Sequence, residues 1–393
     1  MSVANPIGFL QLARLRGVGP VLCKRLLEEL GSAEAILAAH PARLAAVEGI
    51  GTIKANQIVT SAPETAAAAR EEYEKVRQQG ITLLTLADER YPPGLKTIPD
   101  PPLVLYVRGE LLAEDAVALG IVGARQCTLY GREQAQRMGA QLAERGLTVV
   151  SGGARGIDTC AHLGALQVGG RTVVVAGCGL LNCYPPENDH LYERIVKEGR
   201  GAIVSELPLD APPARENFPP RNRIIAGMTL GIIVVEANLQ SGSLITARLA
   251  AGDYGREVFA LPGRVDSPAS AGTHHLIKSA TAHLVESAED VLGHLGDVGR
   301  LLQKATEAER QEKQAAANGD LFDGQVTEEK STPPQWTTVQ QKIVTAAGGN
   351  PGGATVDDIV EATGLAPQVV MAELTFLQIK GGVKRMAGNR FAV

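Results

Sequence analysis

The 393-residue sequence is poor in aromatic side chains, 4% with a single Trp, and has no excess of positive charge, since 38 Lys and Arg stand against 43 Asp and Glu for a net charge of −5. That balance excludes polyanion binding through bulk charge, so a nucleic-acid role needs cations gathered locally. No apolar run approaches the roughly 18 residues of a membrane span. The start, MSVANPIGFLQLARLRG, lacks a basic region followed by an apolar one, and a cytoplasmic protein is expected. The five cysteines (Cys23, Cys127, Cys160, Cys178, Cys183) are an odd number in a large chain, which argues against a disulfide framework. Cys178 and Cys183 have no second pair or His at zinc-finger spacing, so no metal is expected.

What is present is ample apolar content, 45%, and a length that divides into two or three domains. Residues 1–80 read as short helices. Within them RGVGPVLCKRLL and EGIGTIKANQI repeat one pattern, an apolar residue between glycines and then a helix. This is the shape of tandem helix-hairpin-helix units, whose turns offer backbone N–H groups to phosphate without reading bases. Nine Lys and Arg against eight Asp and Glu in this segment leave packing or dimerisation equally open.

Residues 81–296 read as one domain. From about 103 onward, PLVLYV, VALGIVGA, LTVVSGG, TVVVAG, AIVSEL, LGIIVVEA, EVFALPG and AHLVES alternate with helical stretches. Short, largely apolar, Val- and Ile-rich runs suit parallel strands covered on both faces, hence an open Rossmann-like α/β sheet. Residues 297–334 mix charges and end in a proline pair, as a linker does. Residues 335–393 read as three helices and a β-hairpin, the order of a winged helix. The third helix carries Glu373 and only Lys380 at its end, which favours a protein-interaction or weak DNA role over sequence-specific reading.

The turn VVSGGARGIDTCAHLGAL, 149–166, runs a strand into a helix through Gly152, Gly153 and Gly156. Such a turn aims N–H groups and a helix dipole at one spot, favouring an anion. The spacing gives neither GxGxxG nor a following GK[ST], so the dinucleotide and Walker A sites lack their defining residues and no cofactor is expected. Asp158 is placed to cap the helix, and Arg155 adds a cation. In an open sheet, ligands bind beyond the strands' carboxyl ends. Four loops merit that position: GARQCTLYG, SGGARGID, RENFPPRNRIIAG and NLQSGSLITA.

The series VGARQCTLYG, VSGGARGIDTCAHLGAL, VVVAGCGLLNCYPPEN, FPPRNRIIAGM and SGSLITARLAAGDYGREVFALPG closely resembles the DprA/Smf family of DNA-processing proteins, nearly without gaps over about 100–286. The resemblance implies a non-enzymatic protein of natural transformation and recombination that binds and protects incoming single-stranded DNA. It further implies dimerisation through the α/β domain and help in loading the RecA recombinase. The family's DNA pocket uses the Arg of a GSR turn, matched by Arg125 in Gly123-Ala124-Arg125, with Ala124 in place of Ser. Arg215 and Phe218 match a basic residue and a phenylalanine of that pocket; an exposed ring beside arginines suits an unpaired base. The DNA-binding set is Gly123, Arg125, Ser151, Gly152, Gly153, Arg155, Gly156, Arg215, Phe218, Arg221, Asn222, Arg223, Ser241, Gly242 and Ser243, with the turn at 151–158 holding a backbone phosphate.

Each residue also has a structural reading. Ser241 and Ser243 suit caps of the following helix, Asn222 suits loop ordering, and His162 suits packing. The enzymatic rival is a nucleotide-hydrolysing α/β protein, for which Asp158, Glu206 and Glu236 would have to converge near the cleft. No PGGxGT motif or catalytic dyad accompanies them.

Overall fold

The structure, a computed structural model, describes residues 5–296, 298–300, 302, 336–349, 353–379, 382–386 and 390–393. Most of the expected linker, 303–334, and Lys380 lie outside the described residues. Two compact units result, Met1–Glu286 and Ser287–Val393.

In the first unit, helices α1 (Pro6–Leu12), α2 (Pro20–Leu30), α3 (Ala33–Leu37), α4 (Pro41–Ala45) and α5 (Thr52–Gln78) bury Leu10, Leu12, Leu26, Ile36 and Leu44 in one core. The sequence repeat is a backbone repeat. Gly17 and Gly49 have φ of 73° and 83°, and Gly19 and Gly51, both with ψ 176°, start α2 and α5. The reading of short helices fails at α5, which runs 27 residues. Its TAAAAREEYEKVRQ half is rich in strong helix formers and adds a Glu71–Lys75 pair at 3.1 Å, so the helix propagates despite Pro63.

The helices share their core with a nine-stranded sheet: β1 (Thr82–Thr85), β2 (Val104–Gly109), β3 (Ala118–Val122), β4 (Thr148–Ser151), β5 (Thr172–Val175), β6 (Gly201–Ser205), β7 (Gly231–Val234), β8 (Glu257–Ala260) and β9 (His283–Leu284). The spatial order is β1-β2-β6-β5-β4-β3-β7-β8-β9. From β6 to β9 all pairs are parallel, as their apolar runs suggested. β2 instead pairs antiparallel with β6, and β1, a strand the sequence pattern did not reveal, pairs antiparallel with β2. The sheet is thus mostly parallel with an antiparallel edge, a common form of large open sheets.

Helices cover the parallel part: α6 (Pro93–Lys96), α7 (Leu129–Glu144), α8 (Ile157–Gln167), α9 (Asp189–Lys197), α10 (Phe218–Met228), α11 (Ser243–Arg248) and α12 (Ala271–Lys278). Ala135, Met138 and Leu142 bury one stripe of α7.

In the second unit, α13 (Ala288–His294) precedes three helices, Thr338–Gly348, Val356–Thr363 and Pro367–Ile379. Strands Ala354–Thr355, Lys384–Met386 and Arg390–Ala392 form a small antiparallel sheet, the winged-helix arrangement. Within the third helix Val370, Met371, Ala372, Glu373, Leu374 and Leu377 are buried.

Candidate nucleic-acid interface

The chain steps from β3 through β4 and β5 to β6 on one side, then returns to lay β7 on the other side of β3. The loops leaving β3 and β7 therefore diverge, and a crevice opens at this switch point. It is a cleft of about 670 Å³ whose walls include Gly123, Arg125, Phe218, Asn238, Ser241 and Ser243.

The loop after β3 is clamped from β7. The Ala124 N–H donates to the Glu236 carbonyl at 2.8 Å. The Glu236 carboxylate accepts from the Thr128 N–H at 2.9 Å and hydroxyl at 2.6 Å. Gly123 is required by close approach, because a Cβ there would lie 2.6 Å from Ile157 Cγ1 and 2.9 Å from the Glu236 carbonyl. Arg125 is exposed, has no carboxylate partner among the described residues, and sets its guanidinium carbon 4.9 Å from the Phe218 ring centroid.

Helix α10 distributes the second basic motif by its periodicity. At 100° per residue, Phe218, Arg221, Asn222 and Ile225 share one face while Arg223 points nearly opposite. The first four line the cleft, joined by exposed Arg215 from the turn before the helix. Phe218 seats over Gly177, where a Cβ would lie 2.6 Å from the ring. Arg223 belongs elsewhere: it is 7% exposed and paired with Glu206 and, at 3.5 Å, with Asp100. Its assignment to DNA is corrected on that ground.

Arg221 reaches the cleft floor rather than a strand of DNA. Only 5% exposed, it donates to the Gly152 carbonyl at 2.7 Å and to the Val175 carbonyl. Its Nε also meets the Asn222 side-chain oxygen at 3.3 Å, so Asn222 orders this corner while lining the cleft.

The turn at 151–158 already holds an anion, and it is the protein's own. The Asp158 carboxylate accepts from the Gly152 N–H at 3.2 Å and the Ala154 N–H at 3.3 Å. Burial pushes this carboxyl up, opposed by the neighbouring Arg221 charge and the two N–H groups. A phosphate at this spot would compete with a built-in carboxylate, so the expected phosphate cradle is corrected to an internally satisfied one. Ser151 is fully buried and donates to the Ile121 carbonyl at 2.5 Å. Gly153 is buried, its carbonyl taken by Asn188 at 2.8 Å. Gly156, with φ 82°, lets the turn pass the 124–125 backbone, where a Cβ would lie 2.5 Å from the Ala124 carbonyl. Arg155 does not line the cleft; it forks onto Glu187, with Nη2 2.9 Å from Oε2.

Ser241 and Ser243 hydrogen-bond each other at 2.8 Å, and neither caps α11, whose N-terminal Gly242 supplies no side-chain bond. The pair, with exposed Gly242, lines the same cleft as Phe218. The three acids of the enzymatic rival do not converge. Asp158 is held as above, Glu236 clamps Thr128, and Glu206 pairs with Arg223; only Asp158 lines the cleft. His162 is buried, 2.6 Å from the Thr172 hydroxyl, and desolvation with the Arg221 charge lowers its pKa to about 3.

Sequence reading missed Gly177, Tyr184, Asn238 and Thr246. Asn238 and Thr246 lie beside the SGS turn in the sequence and line the cleft. Tyr184 lies in VVVAGCGLLNCYPPEN, a stretch noted for its resemblance and not for a ring beside Phe218.

Fold and cleft together define an open α/β protein with a cation- and aromatic-walled switch-point cleft, flanked by helix-hairpin-helix and winged-helix segments. Three family models match: DNA recombination-mediator protein A over residues 82–296, a SAM-like helix-hairpin-helix tandem over 9–62, and the DprA winged helix domain over 327–389. Protein Smf of Synechocystis sp. is 36% identical over 412 residues, covering 100% of this chain and 99% of its own. Protein Smf of Escherichia coli is 47% identical over 220 residues, 56% of this chain and 58% of its own. The X-ray structure of DNA processing protein A from Streptococcus pneumoniae superposes with TM-score 0.64 at 33% identity, covering 74% of this chain and 99% of that one. The chain belongs to the DprA/Smf family of DNA-processing proteins.

Proposed function

We propose that the protein binds single-stranded DNA in the β3/β7 cleft and acts, without catalysis or cofactor, as a cytoplasmic mediator of natural transformation and recombination. It holds and protects the incoming strand, works as a homodimer through the α/β domain, and helps RecA recombinase onto that strand. The observation that carries the reading is the exposed Arg125 guanidinium, without a carboxylate partner among the described residues, over the half-buried Phe218 ring in a cleft that Ser241 and Gly242 also line. A ring at a cleft wall stacks an unpaired base and excludes a paired one, while arginines take phosphates.

The cleft set on this reading is Gly123, Arg125, Arg215, Phe218, Asn222, Ser241, Gly242 and Ser243, with Arg221 supporting it from below. Titration of labelled oligothymidylate and of a duplex tests it: the single strand is expected to bind more tightly, with little sequence preference. Equal affinity for both, or none for either, overturns the reading. The mediator role is tested by adding RecA to coated single strands, where faster filament growth is expected. Release of free base from nucleoside monophosphates would move the nucleotide-hydrolysing alternative ahead. Domain roles follow the segments 1–80, 81–296, 297–334 and 335–393, and sedimentation of a 100–296 fragment as a monomer at micromolar concentration would remove the α/β domain as the dimer contact.

A further inference from the structure

Beside Phe218, outside the cleft lining, stands a second aromatic side chain. Tyr184, half-buried on the loop after β5, sets its ring 5.5 Å from that of Phe218 with the planes tilted by 42°. Its backbone is fixed from below, where the buried Tyr192 hydroxyl donates to the Tyr184 carbonyl at 3.3 Å. Past Tyr184 stands Arg155, forked onto Glu187 with both side chains 52% exposed. Glu187, which holds Arg155, lies three residues after Tyr184 on the same loop. Arg125 touches Phe218, Phe218 touches Tyr184, and Arg155 is held by Glu187 on the Tyr184 loop: two rings and two exposed cations in sequence of contact.

We propose that this row is a two-base platform, on which one base of a single strand stacks on Phe218, its neighbour stacks on Tyr184, and Arg155 takes the following phosphate in place of Glu187. The inference rests on the reading of the cleft as a single-strand site. The rings are 5.5 Å apart and tilted, whereas neighbouring bases in a duplex strand step by about 3.4 Å and stay parallel. The platform thus fits a strand whose bases are splayed. An ion pair as exposed as Arg155–Glu187 is weak, so a phosphate displaces Glu187 readily. Glu187 acts as a brake on this end of the track.

The test is carried out on the full-length protein. Oligothymidylate carrying one 5-iododeoxyuridine at successive positions is photo-crosslinked to the wild type, and the adducts are mapped by peptide mass spectrometry. Adducts on both Phe218 and Tyr184, from adjacent positions, are expected. In titrations, Tyr184→Leu weakens binding by about five- to a hundredfold, and Tyr184→Phe, which keeps the ring, binds as the wild type does. Glu187→Gln binds more tightly with a steeper salt dependence, because Arg155 is released to a phosphate. Adducts on Phe218 alone, with Tyr184→Leu at wild-type affinity, overturn the platform and leave the cleft reading standing. Adducts on neither ring, with Phe218→Leu at wild-type affinity, overturn both.

Discussion

The Arg125 guanidinium carbon lies 4.9 Å from the centroid of the Phe218 ring, so the cation occupies the face that a base would use. A cation on an exposed ring contributes about 0.5–1 kcal/mol, and a stacked base about 1–3 kcal/mol. On the proposed reading a base therefore takes the ring and Arg125 turns to a phosphate. Because the two exchange places, their contributions are coupled. Arg125→Ala is expected to cost about 0.5–1 kcal/mol more affinity in a Phe218→Leu background than in the wild type, read from anisotropy titrations of the double-mutant cycle.

Salt separates the two kinds of contact. Each phosphate neutralised on a single strand adds about −0.7 to the slope of log affinity against log salt. Arg125→Ala and Arg215→Ala should each flatten the slope by about that amount, while Phe218→Leu weakens binding at every salt concentration with the slope nearly unchanged. Wild-type slopes in both arginine variants would remove the phosphate role.

Arg221 and Arg215 belong to one sequence motif but should fail differently. Arg221 is 5% exposed and donates to the Gly152 and Val175 carbonyls, so Arg221→Ala leaves buried acceptors unpaired and is expected to cost about 1–3 kcal/mol of stability for each. Calorimetry should show a large fall in Tm. Arg215, exposed and without an ion-pair partner among the described residues, should leave Tm unchanged on substitution by Ala while lowering DNA affinity.

Acid should weaken the fold through His162. Burial and the Arg221 charge hold its pKa near 3, against an ordinary 6.5, so between those values the unfolded chain binds more protons than the folded one. Stability contributed by the neutral imidazole is present above about pH 6.5 and is lost as pH falls toward 3. At pH 5 the loss from this group is about 2 kcal/mol. Unfolding curves of His162→Gln should accordingly show a shallower decline in stability from pH 7 to pH 5 than the wild type.

Removing residues 335–393 should leave single-strand affinity within a few fold. The winged helix's third helix buries Val370, Met371, Glu373, Leu374 and Leu377, and its described stretch, PQVVMAELTFLQI, carries no Lys or Arg. A loss beyond about a hundredfold, near 2.7 kcal/mol, would make this domain a principal DNA element.

The strands from β2 to β9, the paired glycine turns, the wing and the loops that meet at the cleft were legible in the amino-acid order. Each of these is written locally, in apolar runs, glycine spacing and turn residues. Helical periodicity also holds a signal the motif reading passed over: Arg223 lies about 140° from Phe218 around α10, enough to send it to Glu206 and Asp100. Which charges are free depended on how distant segments pack together. Arg125, Arg155, Arg215, Arg221 and Arg223 look alike in the sequence, but a guanidinium's role depends on the carboxylates and carbonyls within about 3 Å of it, and those come from distant segments. Asp158 is the clearest case. Its position as a possible helix cap was legible, but that it fills the anion site of the glycine turn, above Arg221 from a helix some sixty residues away, was settled when β4, β5 and α10 came together.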